Sequence, residues 1–306
     1  MLTIPYMLIT STEDTKTQAS ELLGKTEIIA LTPLEIEALV APYTPSSNTE
    51  DAPIAQGLMS MLQKQLQGEA DNGWPLVFIP RLFKPTPDLM DVDGSASTAK
   101  HTFPDISIPQ TVQPGMNPPF PEVYFSVYAD QDIEVSLPYP CMTIPSDILE
   151  TVPATTNLAA TLVRDALVDT IDALHFNRYT AAKLLIDLDC YFTPKTFIPR
   201  ATPFDKVKDL AEDGKSTWKP EDLAIDAVFS LIFRLPTSEH KLIYYHSIIT
   251  ETCKIAPGSI APSLGRAIRF LYKNLEVMDV ELLQRFVDWF SHHLSNFDFR
   301  WKWAEW

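Results

Sequence analysis

Three aspartates, Asp165, Asp169 and Asp172, follow one another at intervals of four and three, the spacing that aligns side chains on one face of an α-helix. Carboxylates grouped in this way can hold a divalent cation or divide acid and base roles between them. No histidine falls within that run and no glycine-rich loop accompanies it, so we read the three as a solvated helix face. Histidine offers little more. His292 and His293 are adjacent and point about 100° apart on a helix, and the separation of His240 from His246 is neither three nor four residues. His246 and Cys253 can share a face, but a zinc site needs a third and usually a fourth ligand. We therefore read these histidines as polar residues of a core or an interface, and expect no metal and no cofactor. Phosphate-binding loops, dinucleotide fingerprints, nucleophile elbows and kinase signatures are all missing from a chain with nine glycines. No enzymatic function is expected, and a hydrolase built on the three aspartates or His246 is set aside.

Two other groups have the chemistry of recognition. Arg266, Arg269 and Lys273 form a basic stripe that can meet phosphates or an acidic partner, although a solvated helix face is its commoner meaning. The densest feature is the aromatic run Phe286, Trp289, Phe290, Phe297, Phe299, Trp301, Trp303 and Trp306, with Arg300 among it. Aromatic residues and arginine concentrate binding energy at interfaces, and they also fill cores. Trp289 and the phenylalanines are assigned to the core. Arg300, Trp301, Trp303 and Trp306 are the candidate partner contacts.

The 306 residues carry 24 basic and 40 acidic side chains, a net charge of −16, with 45% hydrophobic residues. Such a chain folds and buries a large core. Its acidity argues against general coating of RNA or DNA, where lysine and arginine must displace counterions from phosphates. Residues 1–205 hold 11 basic and 26 acidic side chains and residues 206–306 hold 13 and 14, so the C-terminal third is nearly neutral. Cys141, Cys190 and Cys253 are odd in number and widely spaced, which suits a reducing compartment. No signal peptide and no membrane span are read, and no membrane partner is expected.

Helices must position these residues. Thr32, Pro33, Leu34 and Glu35 form a capping box, and Ile54, Leu58, Met61, Leu62 and Leu66 keep helical spacing up to Gly68, read as the cap, before a turn at Asp71, Asn72 and Gly73. Eleven of the 26 prolines fall between Pro85 and Pro145, which predicts a linker. Within it the alternating, aromatic run Glu122 to Tyr128 suits an extended segment. Helices are predicted over Asn157 to Leu174, Ala181 to Phe192, Asp222 to Leu235, His240 to Ile255 with a stop at Pro257 and Gly258, and Ser263 to Leu275. Asp279 caps the last, whose stripe is Leu282, Phe286, Trp289 and His293. Asp222 to Leu235 is apolar nearly all round and should be central. Loops of about 4 to 7 residues make antiparallel neighbours. The fold class is all-α, with antiparallel helical hairpins stacked as a HEAT-like solenoid, an α-α superhelix. The end at Trp306 without a polar tail implies that further helices follow in a longer product.

The stretch DWFSHHLSNFDFRWKWAEW (Asp288 to Trp306), preceded by LGRAIRFLYKNLEVMD (Leu264 to Asp279) and by Phe233, Leu235 and Pro236, resembles the large-subunit family of the nuclear cap-binding complex. The run SHHLSNF (Ser291 to Phe297) with tryptophans soon after is the most specific part, and similarity extends back through Asp226 and FPEVYFSVYADQD (Phe120 to Asp132). ATPFDK and STWKPED have a fungal character. The resemblance implies three helical-repeat domains related to the middle domain of initiation factor 4G. On that basis residues 1–84 are the remnant of a preceding domain, with Met59 to Phe83 its last helices, 85–120 are a linker, and 121–306 are the middle domain with an extended entry segment. It further implies a non-catalytic scaffold that clamps a small RNA-recognition-motif subunit as a heterodimer, meets capped RNA through that subunit, and docks splicing, export and decay factors. The small subunit would stack the 7-methylguanosine between aromatic rings. Such a protein is nuclear and shuttles to the cytoplasm. Most of the first domain, its localisation signal and the third domain have no counterpart in this chain. A related scaffold in translation initiation or mRNA decay is the alternative.

Overall fold

The protein is described here from a computed structural model, over residues 2–10, 13–31, 58–80, 151–153, 158–212, 215–235, 237–276, 278–301 and 303. The capping box at Thr32, the proline-rich linker, the Glu122 to Tyr128 segment, Cys141 and Trp306 lie outside the described residues. Among the described residues the secondary structure is helical, with no strand. Two compact units divide the chain, Met1–Glu122 with Thr156–Leu158, and Val123–Thr155 with Ala159–Trp306.

In the first unit, α1 (Thr3–Met7) and a short 3-10 turn lead into α2 (Glu13–Leu31), which packs on α3 (Leu58–Asp71). Ile4, Leu8, Leu23, Leu62 and Leu66 are buried between them. Polar contacts are included: the Thr26 hydroxyl lies 3.1 Å from Gln63 Oε1 and 2.9 Å from the Leu23 carbonyl, and the Gln63 amide donates to that same carbonyl (3.1 Å). Helix α3 does not end at Gly68, which lies inside it. It ends at Asp71 and the chain turns at Gly73, whose φ of 76° is the left-handed conformation that glycine adopts without a Cβ clash. The Gly73 N–H bonds Ala70 O (3.0 Å) and the Trp74 N–H bonds Glu69 O (2.7 Å), the Schellman pattern. Trp74 is buried beside it, and this end is set by which residue can turn left-handed.

The second unit comprises α4 (Leu158–Ala173), α5 (Arg178–Ile186), α6 (Phe204–Glu212), α7 (Pro220–Ile232), α8 (Leu242–Ile255), α9 (Pro257–Lys273) and α10 (Val280–Asn296). Asn177 caps α5 by accepting from the Thr180 N–H (3.1 Å), and Asp279 caps α10 by accepting from Glu281 (2.8 Å). After α5 the chain tightens into a 3-10 turn, Leu188–Cys190, so the helix expected up to Phe192 is shorter. Pro257 and Gly258 do not simply stop α8. The single residue Ala256 breaks the helix, and Pro257 occupies the first turn of α9, where a missing N–H costs nothing. The two helices thus join more tightly than the expected loops of four to seven residues. Pro262, inside α9, has no N–H to give Gly258 O.

Helix α7 is central, as its sequence implies: every residue from Pro220 to Ile232 except Ser230 is buried. Its neighbours α5, α8 and α9 pack directly against it, and Phe229 meets Trp289 of α10 edge-on at 4.8 Å. Three carboxylates are buried with it, and each has a cation. Lys219 lies 3.6 Å from Glu221, Arg164 of α4 lies 2.9 Å from Asp226, and Arg266 of α9 grips fully buried Asp222 at 2.5 Å. At its far end, buried Arg285 of α10 donates to the carbonyls of Ile232 (2.9 Å) and Arg234 (2.8 Å). These carbonyls belong to the end of a helix, which leaves acceptors unpaired and favours a cation.

Removing one partner of a buried pair leaves an uncompensated charge, which costs about 3–5 kcal/mol. Arg266→Ala should therefore lower the unfolding free energy of the chain by about that amount. Adding Asp222→Asn to it should cost much less than Asp222→Asn alone. Chemical denaturation of the two single variants and the double variant checks this, and simple additivity would show that the pair is not coupled.

Candidate functional site

Three of the residues singled out for recognition, Arg269, Arg300 and Trp301, meet at one place. Helix α10 ends at Asn296, and the chain is folded back by the Phe299 N–H bonding Leu294 O (2.9 Å) and the Arg300 N–H bonding Phe297 O (3.0 Å). Asp298 and Phe299 both have φ of 54°, a left-handed conformation that costs a non-glycine residue about 1 kcal/mol or more. This reversal brings Arg300 and Trp301 beside α9. There Ala261, Pro262, Gly265 and Arg269 complete a pocket of about 480 Å³. Trp301 is half-buried and meets Phe290 edge-on at 5.6 Å, so its ring is anchored on the core. Gly265 has a local role: a Cβ there would lie 3.3 Å from Arg269 Nη1.

The basic stripe does not act as one group. Arg266 points inward to Asp222, with its guanidinium 4.5 Å over the Phe204 ring. Arg269 lines the pocket, and Lys273 is exposed one turn further on. Of the aromatic candidates, Trp301 lines the pocket while Trp303 is 53% exposed, its indole N–H donating to Phe299 O (3.4 Å). Trp306 lies outside the described residues.

The titratable side chains form two further groups. Asp172 is not on a fully solvated face: its Oδ1 is 3.4 Å from His240 Nε2, and the His240 ring stacks on His175 at 5.0 Å. Burial raises the Asp172 carboxyl above its ordinary range, with His240 opposing. On α8 and α10, His246 and His292 approach at 5.4 Å, and His293 stacks on Trp289 at 5.3 Å. His246 and His293 are buried. Desolvation, assisted by His292, pushes each down to about 4. Cys253 shares the buried face of α8 with His246, and burial pushes its thiol up to about 12. Among the described residues no three His, Cys, Asp or Glu side chains are placed to hold a metal ion, and no helix is long and apolar enough to cross a membrane.

Pocket residues Ala261, Pro262 and Gly265 were not legible in advance. The available signal was a glycine and a proline inside an amphipathic helix, which are tolerated there only for a local reason.

A helical array around a buried central helix is a helical-repeat architecture, and residues 153–306 match the family described as MIF4G like. The chain belongs to that family. It is similar to nuclear cap-binding protein subunit 1 of Schizosaccharomyces pombe, 46% identical over 158 residues, covering 52% of this chain and 20% of that protein. The nuclear cap-binding protein complex subunit 1 of Saccharomyces cerevisiae is 38% identical over 159 residues, 51% of this chain and 18% of its own length. Its human counterpart, nuclear cap-binding protein subunit 1, is 42% identical over 82 residues, 27% of this chain and 10% of its own. The chain spans a fifth or less of the length of these relatives.

The buried histidines make stability depend on pH. Because their folded pKa values lie below the ordinary 6.5, the unfolded chain binds protons that the folded chain does not. Their contribution is complete above about pH 6.5 and is lost as pH falls towards 4. The denaturation midpoint should fall across that window, and His246→Gln should flatten the fall. An unchanged slope in that variant would remove His246 from the account.

Proposed function

We propose that the chain is the middle helical-repeat region of a nuclear cap-binding large subunit. In this reading it is a non-catalytic scaffold that clamps a small RNA-recognition-motif subunit, so that the small subunit holds the 7-methylguanosine cap, and it docks splicing, export and decay factors. The observation that carries the reading is similarity to fungal cap-binding large subunits across half the chain. The charge distribution supports it: Arg164, Arg266 and Arg285 are committed inside the helical array, and a net charge of −16 discourages direct coating of RNA. Residues 1–84 are then the end of a preceding helical domain, 85–120 a linker and 121–306 the middle domain. Arg300, Trp301, Trp303 and Trp306, with Arg269 and Lys273, belong to the partner-facing side. The protein acts in the nucleus and shuttles to the cytoplasm.

The test is cap affinity by fluorescence anisotropy of a labelled 7-methylguanosine oligonucleotide. The chain alone should not bind it, and adding the chain to the small subunit should raise cap affinity above that of the small subunit alone. If the chain neither captures the small subunit nor changes its cap affinity, the reading fails for this region. Recovery of a helicase or a cytoplasmic initiation factor instead would identify a scaffold of translation or decay.

A further inference from the structure

We propose that Thr202 is a phosphorylation site for a proline-directed serine/threonine kinase, and that a phosphate there opens the turn that ties residues 199–202 to the start of α7. The inference goes beyond the cap-complex reading and does not depend on it.

The segment ATPFDK (residues 201–206) carries one of five Thr-Pro pairs in the chain, which begin at Thr32, Thr44, Thr86, Thr193 and Thr202. The last two fall among the described residues, and the fold treats them differently. The Thr193 hydroxyl oxygen is buried, out of reach of an enzyme. Thr202 stands at the surface between exposed Ala201 and exposed Pro203, just ahead of α6. A proline disfavours helix in the residue before it, so the acceptor is presented in irregular chain rather than within α6.

The work of that hydroxyl in the fold gives a phosphate its consequence. The Thr202 N–H (3.3 Å) and the Thr202 hydroxyl (2.5 Å) both donate to Pro199 O and close a four-residue turn. Its third residue, Ala201, has φ of 58°, and turns that need positive φ there usually take glycine. A left-handed alanine costs free energy and persists where surrounding contacts enforce it. Those contacts converge on the start of α7: the Ala201 N–H donates to Glu221 Oε1 (2.6 Å), and Lys219 Nζ donates to Thr202 O (2.9 Å). Lys219 and Glu221 are themselves buried, 3.6 Å apart.

Phosphorylation moves the γ-phosphoryl group of ATP to Thr202 Oγ1. The bond to the β-phosphate breaks, ADP leaves and the hydroxyl proton passes to solvent. The oxygen that donated to Pro199 O then has no hydrogen, and a group of about two negative charges stands against that carbonyl. The same charge is added one residue from the Ala201 N–H that Glu221 holds, and it competes with Glu221 for Lys219. Arg200 offers no ready compensation, because Asp187 and Asp189 already hold its guanidinium. Opening the turn relieves both the repulsion and the strain at Ala201.

The full chain is incubated with a mitogen-activated protein kinase and magnesium ATP, and the sites are mapped by tandem mass spectrometry. Thr202 should be labelled, and Thr193, reached only through local opening, at least about tenfold more slowly. Pro203→Ala should abolish the label at Thr202 with the melting temperature unchanged. In hydrogen exchange, phosphorylation should speed the amides of residues 200–202 by about fivefold, as loss of a hydrogen bond implies, and leave α8 unchanged. The proposal is overturned if Thr202 stays unlabelled by an enzyme active on a standard substrate, if Thr193 is labelled as fast, if Pro203→Ala is labelled as well as the parent chain, or if exchange at residues 200–202 does not respond. No small subunit and no cap take part, so none of these outcomes touches the cap-complex reading.

Discussion

A carboxylate inside a protein must find a cation or lose its proton, and helix α7 carries three of them into the interior. Glu221, Asp222 and Asp226 cannot be solvated where the helix lies, so the surrounding elements are arranged to reach them. Arg164 comes from α4 and Arg266 from α9, while Arg285 of α10 takes up the carbonyls at the other end of the helix. Apolar packing alone tolerates a helix sliding or rotating by part of a turn. Ion pairs and a carbonyl cap on fixed positions of α7 do not, and so they set the register of three neighbouring helices against it. Apolar contact of Phe229 with Trp289 then fills the space between those fixed points.

The reversal at Asp298 and Phe299 after α10 delivers Arg300 and Trp301 to the side of α9 where Arg269 lies. Scaffold and pocket are linked through α9. Arg266 holds that helix to α7, and Arg269, three residues on, faces the pocket.

Helix types and several helix starts were legible in the amino-acid pattern. Asp279 and Pro220 sit where helix-initiating chemistry requires, and the near-continuous apolar run after Pro220 marks a buried helix. The stripe Phe286, Trp289 and His293 is buried as its spacing implies. Helix ends were less legible. Gly68 and Gly73 are both glycines with turn potential, and only the hydrogen bonds of the following residues decide that α3 runs on to Asp71. Pro257 reads equally as the stop of one helix or the start of another, since proline is excluded from a helix interior but welcome in its first turn.

The sequence by itself determined the helical class, the central position of α7 and the resemblance to cap-binding large subunits, because each depends on local periodicity or on motifs of neighbouring residues. Tertiary structure decided the fate of charges. Arg266, Arg269 and Lys273 share a helix face in one dimension, yet the first is buried against Asp222, 44 residues earlier, the second lines a pocket and the third is exposed. A side chain's role in binding depends on whether a carboxylate waits within reach, and the distance between two charges is a property of packing that residue spacing does not contain.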